Sequence, residues 1–300
     1  MICLPRCRNF RSVSTPSKII QMEPRLLFLI LAGIAVGLSC LAGYWRRKAG
    51  NAAFAAALLT DKAEERDRYC RLAVMAGNRD ACRMFCFARP DFFEDRHPLK
   101  PFRFHGISVA FYGHYYPSRY KKLLSEEQRE FCRSLYAFKE GENHGIPFFK
   151  ACMAALPLDT ASCHIMFMPC SNWIKYGQRF KRLHWYITTH RPELTSGLYD
   201  VDVADARESL HESKGSERIL ERNYSITGSI RGKRIIIIDD VFTSGQSLLD
   251  FKGEIERCGG EVVAAIFYGK TVTMPPLFLI KAHVWGEHIV RAIKHRSHVL

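Results

Sequence analysis

The apolar and polar positions divide the chain into stretches of different periodicity. Between Arg25 and Arg46 lie twenty residues without a charge, LLFLILAGIAVGLSCLAGYW. A helix of ~20 residues at 1.5 Å rise crosses ~30 Å, the hydrocarbon thickness of a bilayer, so this run predicts one spanning helix over 26–45. Tyr44 and Trp45 end it with amphipathic rings suited to an interface. Residues 49–90 are alanine-rich with no proline before Pro90, which predicts helices. Ala49-Gly50-Asn51 and Ala76-Gly77-Asn78 recur 27 residues apart, and each predicts a turn between helices. Residues 91–118 are aromatic and broken by Pro98, Pro101 and Pro117, which predicts irregular chain with one short strand. Ser125-Glu-Glu-Gln128 has the form of a capping box and opens a helix expected to run to about Lys139. Beyond Gly141 and Gly145 a second helix is expected over 147–156. Ile235–Ile238 then read as a strand buried on both faces, hence parallel and central in an α/β sheet, with a helix starting near Ser247.

Composition narrows the class. The chain has 300 residues, enough for about two domains, and is 47% hydrophobic and 25% charged. That excludes a mainly disordered, a collagen-like or a multispanning chain. The formal net charge is +14, and residues 1–48 alone carry +7 of it, with eight basic residues against Glu23. The excess therefore clusters beside the apolar run, as a topology signal does, and no nucleic-acid partner is expected. With Met22 as the start, Arg46, Arg47 and Lys48 outweigh the other flank and put residues 46–300 in the cytoplasm; with Met1, Arg6, Arg8, Arg11 and Lys18 compete. Gly33 and Gly37, four apart, would permit close helix approach and a homodimer. Eleven cysteines at irregular spacing, without paired Cys-x-x-Cys knuckles, read as reduced thiols; Cys82 and Cys86 read as buried small side chains.

Candidate chemistry concentrates in GKRIIIIDDVFTSGQSLL, residues 232–249. Two carboxylates, Asp239 and Asp240, end the isoleucine strand. The turn Thr243-Ser244-Gly245-Gln246-Ser247 follows and opens a helix. Backbone N–H groups at a helix start, with a glycine allowing close approach, suit an anion, and the three hydroxyls add donors. The carboxylates would repel a phosphate, so sugar hydroxyls or a cation are expected against them. Neither a Gly-x-Gly-x-x-Gly fingerprint nor a P-loop is present.

This combination resembles the 5-phosphoribosyl 1-pyrophosphate (PRPP) signature of the type I phosphoribosyltransferases: a hydrophobic strand, two acids, two variable residues, then Thr-Thr/Ser-Gly-x-Ser/Thr. The surroundings resemble the ComF-type competence phosphoribosyltransferases. Tyr115–Tyr120 with Leu135-Tyr-Ala-Phe-Lys139-Glu-Gly141 is similar to their Leu-x-x-x-Lys-x-Gly segment, His164–Pro169 to their strand ending in Val-Pro, and Glu221-Arg222-Asn223 to their Arg-Asn element. The stretch around Tyr69, Ala73, Gly77, Asn78 and Ala81 is similar to one tetratricopeptide-like (Sel-type) repeat. The zinc ribbon that usually begins the family is replaced here by a span and helices, and the loop after Pro169 has fewer cations than the family pattern.

The resemblance implies an α/β fold, a type I phosphoribosyltransferase-like parallel sheet flanked by helices over 106–275. Before it come a tail (1–25), the transmembrane helix (26–45) and an all-α segment (46–105); a basic extension (276–300) follows. It implies displacement of pyrophosphate from PRPP by a nitrogen acceptor. Asp239 and Asp240 would be catalytic, holding the ribose hydroxyls. Residues Thr243, Ser244, Gly245, Gln246 and Ser247 would take the 5′-phosphate. Pro169, Cys170, Ser171 and Arg179, with Lys175 as an alternative cation, would take pyrophosphate. Lys214, Arg218 and Arg222 would sit on a mobile flap. Mg2+ would ride on the ligand near the aspartates, with no direct protein ligand. The alternatives are a non-catalytic PRPP or nucleotide sensor, with a protein partner on the helical segment, and a competence-related accessory protein. His164, Trp173 and Trp185 read as structural, and His283, His288, His295 and His298 as surface residues.

Overall fold

The computed structural model describes residues 24–204 and 223–297. A single helix α1 (Pro24–Leu59) begins it. Its first part exposes Phe28, Leu29, Ile34, Leu38 and Trp45, and the helix is long and apolar enough to cross a membrane. Helices α2 (Ala63–Ala76), α3 (Arg79–Phe87) and the short α4 (Pro90–Phe93) follow. The α2–α3 turn forms as its sequence predicts, on Gly77 at φ +91°, with the Asn78 side chain capping α3. The turn expected at Ala49-Gly50-Asn51 does not exist, because α1 runs through it unbroken. The repeated tripeptides instead meet each other. A Cβ on Gly50 would lie 2.9 Å from the Ala76 Cβ, and the Asn78 amide donates to Asn51 Oδ1 at 3.0 Å. The second half of α1 thus belongs to a cluster in which Ala57, Ala73, Val74, Ala81, Cys82 and Phe85 are buried.

The α/β body opens with a hairpin, β1 (Phe102–Phe104) and β2 (Ile107–Tyr115). The nine residues of β2 correct the expectation of irregular chain before Pro117. Helix α5 (Glu126–Lys139) starts on the full capping box of Ser125 and Gln128, and α6 (Ile146–Ala155) follows. Next come β3 (His164–Phe167), α7 (Trp173–His190), β4 (Thr195–Ser196) and β5 (Val201–Val203). After them stand β6 (Tyr224–Ile226), β7 (Arg234–Phe242), α8 (Gln246–Arg257) and β8 (Glu261–Thr271). The main sheet has the order β1-β2-β8-β7-β3-β4, and every pair except β1–β2 is parallel. Ile235–Ile238 are buried at its centre, with helices on the faces, as an isoleucine run between two parallel neighbours requires. Strands β5 and β6 pair separately.

The last helix, α9 (Leu277–Ser297), occupies the stretch expected as a basic extension. Ile280 and Val284 are buried in the α2–α3 cluster, and Arg71 of α2 pairs with Glu287. His283, expected at the surface, is half-buried with its ring centroid 4.3 Å from that of Phe92 in a tilted contact. The C-terminal helix therefore binds the helical segment back onto the chain that follows the sheet.

Candidate functional site

A crevice forms where strand connections diverge. β3 leads through α7 outward to β4, while β7 leads through α8 the opposite way to β8, and β3 and β7 pair with each other. In open α/β sheets ligands settle beyond the carboxyl ends of strands at such a point. The register Phe167↔Ile238 sets the segment after β3 beside the end of β7, and the Met168 N–H donates to the Ile238 carbonyl at 2.9 Å. This brings Pro169, Cys170 and Ser171 alongside Asp239 and Asp240.

The acidic pair does not stand alone. Asp240 is buried, and its N–H donates to Asp239 Oδ1 at 2.7 Å. Arg179 of α7 places Nη1 at 2.7 Å from Asp240 Oδ2 and 4.0 Å from Asp239 Oδ1. Lys139, the last residue of α5, places Nζ at 3.5 Å from the same Asp240 oxygen. The two cations are brought together by close contact between α5 and α7. Gly141, at φ +77°, lies so near the Gln178 backbone that any Cβ would collide with it, and Arg179 Nε donates to the Lys139 carbonyl at 3.3 Å. Burial first, then the negative charge of Asp240, pushes the Asp239 carboxyl up to about 7, against the pull of Arg179.

Beyond the acids the chain makes its phosphate-sized bend. Gly245 has φ +82° and lies under the rings of Phe104 and Phe242, where a Cβ would overlap Phe104. Thr243, Ser244, Gln246 and Ser247 are exposed. Gly245 offers helix α8 no side-chain cap; Ser244 Oγ accepts from the Gln246 N–H at 3.4 Å, and the following N–H groups of the first turn lack partners within the helix. The Gln246 amide turns along its own helix to Asp250 Oδ1 at 2.8 Å, and the Thr243 hydroxyl lies 3.2 Å from that of Thr271 on β8.

The opposite wall is more neutral. Burial raises the Cys170 thiol to about 12, so it is no thiolate nucleophile. Asn223 donates to the carbonyls of Cys170 and Ser171 at 3.1 and 3.3 Å, and the Asn172 side chain caps α7. Lys175 is exposed on the first turn of α7. Lys214, Arg218 and Arg222 lie outside the described residues. Three neighbours were not singled out from sequence: Lys139, Asn223 and Phe104. Lys139 and Asn223 do lie in the Leu-x-x-x-Lys-x-Gly and Arg-Asn elements; Phe104 leaves no signal.

No group of three or more metal-ligating side chains occurs among the described residues, and the Asp240 carboxylate already faces a guanidinium and an ammonium. A Mg2+ ion bonded directly to this pair does not fit. His164 sits at the other end of β3, with Nε2 2.7 Å from Asp200 Oδ2 and Nδ1 2.7 Å from the Thr195 hydroxyl, a structural post.

Two comparisons with known proteins bear on the chain. An orotate phosphoribosyltransferase of Methanopyrus kandleri is 46% identical over 41 residues, 14% of this chain and 22% of that protein, so the chain matches about a fifth of its relative's length. Residues 190–280, which carry β4, β7, α8, β8 and the bend between them, match the phosphoribosyl transferase domain family.

Proposed function

We propose that this protein is a membrane-anchored, ComF-type phosphoribosyltransferase. It would bind PRPP and pass the ribose 5-phosphate to a nitrogen acceptor with release of pyrophosphate. The observation that carries the reading is the adjoining of an acidic pair, the start of α8 after Gly245 and the loop after β3 in one crevice at the switch point. The uncapped N–H groups of α8 and the hydroxyls of Thr243, Ser244 and Ser247 would hold the 5′-phosphate, with Gly245 letting it approach. Asp239 and Asp240 would accept from the ribose hydroxyls. The acceptor nitrogen attacks C1 while the C1–O bond breaks with its electron pair on pyrophosphate, and the nitrogen's proton passes to a base or solvent. Positive charge grows on the ribose, where the carboxylates would stabilise it, and negative charge on the leaving group, where Arg179 and Lys139, held beside Asp240, would supply positive charge. Phosphoribosyltransferases commonly use Mg2+; here it would enter on the oxygens of the ligand. The apolar part of α1 would span the bilayer, with residues 46–300 on the cytoplasmic side.

A second reading, a PRPP sensor without turnover, is favoured by the ion pairs that already occupy Asp240 and by the neutral loop Met168–Asn172. The deciding experiment uses the full chain in lipid nanodiscs with PRPP, Mg2+ and a panel of nucleobases and amines. Acceptor-dependent pyrophosphate release supports the enzyme, and its loss in Asp239→Asn/Asp240→Asn supports the assigned roles. PRPP binding without release supports the sensor, and failure to bind PRPP removes both.

A further inference from the structure

The small hairpin β5–β6 is tied to both ends of β3. Asp200, just before β5, places its carboxylate 2.7 Å from His164 Nε2 at the start of β3. The Asp200 carbonyl accepts from the Thr227 and Gly228 N–H groups, just after β6, at 2.9 and 3.3 Å. Gly228 lies so close to the Asp200 carboxyl that a Cβ would overlap it. Val201 and Val203 are buried, which fixes β5 in the core. At the far end of the hairpin Val203 pairs with Tyr224, and the Ala204 N–H donates to the Asn223 carbonyl at 2.8 Å. The backbone of Asn223 is therefore held before its side chain makes any contact.

That side chain reaches the segment after the other end of β3. Its amide donates to the Cys170 carbonyl at 3.1 Å and to the Ser171 carbonyl at 3.3 Å. An amide nitrogen carries two hydrogens, so each carbonyl takes one. Both peptides are trans, and a planar trans peptide holds its N–H opposite its C=O. Turning two successive carbonyls onto Asn223 therefore turns the N–H groups of Ser171 and Asn172 away from it. Neither N–H has a partner among the described residues. Successive free N–H groups are a means of holding an anion that needs no side-chain charge, and the loop Met168–Asn172 has no cation of its own.

We propose that Asn223 is the positioning residue of the pyrophosphate subsite. By gripping both carbonyls it sets the Ser171 and Asn172 N–H groups toward the leaving group. The inference rests on the reading of residues 169–171 as that subsite. Asn223 acts through the loop: among the described residues its side chain bonds to neither the acidic pair nor the 243–247 bend.

The test measures inorganic pyrophosphate, with Mg2+, and ribose 5-phosphate separately by calorimetry on the full chain in nanodiscs. Asn223→Ala removes two hydrogen bonds and should weaken pyrophosphate binding about tenfold, with ribose 5-phosphate affinity kept within about twofold. Asn223→Asp keeps the shape but sets a carboxylate against both carbonyls, and should weaken pyrophosphate at least as much. Should the alanine variant fail to fold, the isosteric aspartate decides. Equal losses for both ligands would make Asn223 a general structural tie and overturn the proposal, as would unchanged pyrophosphate affinity. Wild type that binds ribose 5-phosphate but no pyrophosphate overturns this inference alone; wild type that binds neither overturns the functional reading with it.

Discussion

Asp239 shows how burial and a like charge set one residue's chemistry. Its carboxyl titrates near 7 in the folded chain and in the ordinary acid range when unfolded. The folded state then binds more protons between those limits, so stability falls as pH rises through about 4 to 7. Thermal unfolding of wild type against Asp239→Asn should show the wild type losing ground across that window; a constant difference would contradict the shielding of Asp239. Gly245 gives a second prediction. Gly245→Ala meets both a left-handed φ and the Phe104 ring, so it should cost about 1–3 kcal/mol and weaken ribose 5-phosphate binding at least tenfold. Binding at wild-type strength would remove the bend from the site. The acids, hydroxyls and glycine could be read from sequence because one contiguous strand–bend–helix carries them. The ion pairs facing them could not: Arg179 was named from sequence as a cation for pyrophosphate and Lys139 was not singled out, yet both reach Asp240 from helices about 60 and 100 residues earlier, through a contact at Gly141 that no local pattern announces.

At the level of elements, the helical segment is fastened to the sheet by a buried pair. Glu94 and Lys270 each leave 5% of the side chain exposed, and Glu94 also accepts the Thr273 N–H at 2.6 Å. Glu94→Leu strands a buried ammonium and should cost about 3–5 kcal/mol; adding Lys270→Met should recover most of that loss, because a paired apolar replacement leaves no uncompensated charge. Thermal unfolding of the single and double variants checks this, and equal losses in both would mean that the pair's electrostatics matter little. Elements differed in how plainly the sequence declared them. Ser125 and Gln128 state the start of α5 locally, and Ile235–Ile238 state a buried strand. β2 is declared by neither: Gly113 and His114 interrupt its apolar pattern, prolines stand nearby, and its extended form comes from pairing with β8 and β1. Ala49-Gly50-Asn51 misled because small residues that suit a turn also suit a helix pressed against another, which is their use here.

Across the whole molecule, the two parts of α1 differ in what covers them. Phe28–Trp45 expose apolar side chains, whereas Ala57 is buried against α2 with Ala53 and Phe54 packed beside it. Removal of residues 1–45 should therefore yield a soluble monomer, while removal through Leu59 uncovers the α2–α9 cluster and should aggregate. Size-exclusion chromatography of the two truncations checks this, and equal behaviour would deny the helix its second role. Cys258 is the described thiol of the α/β body that is not buried. With Cys3, Cys7 and Cys40 changed to serine, a membrane-impermeant maleimide should leave it unlabelled in intact cells and label it after lysis. Labelling before lysis would reverse the proposed orientation.

The unbroken course of α1 has a mechanical result. Residues 46–59, fourteen in number, continue α1 beyond Trp45, so the helix projects roughly 20 Å past its apolar part as a stiff mast gripped by α2. If the apolar part lies in a bilayer as proposed, a mast without a hinge would fix the stand-off of the crevice from the lipid surface, and any change in its lean would swing the α/β body sideways as one piece.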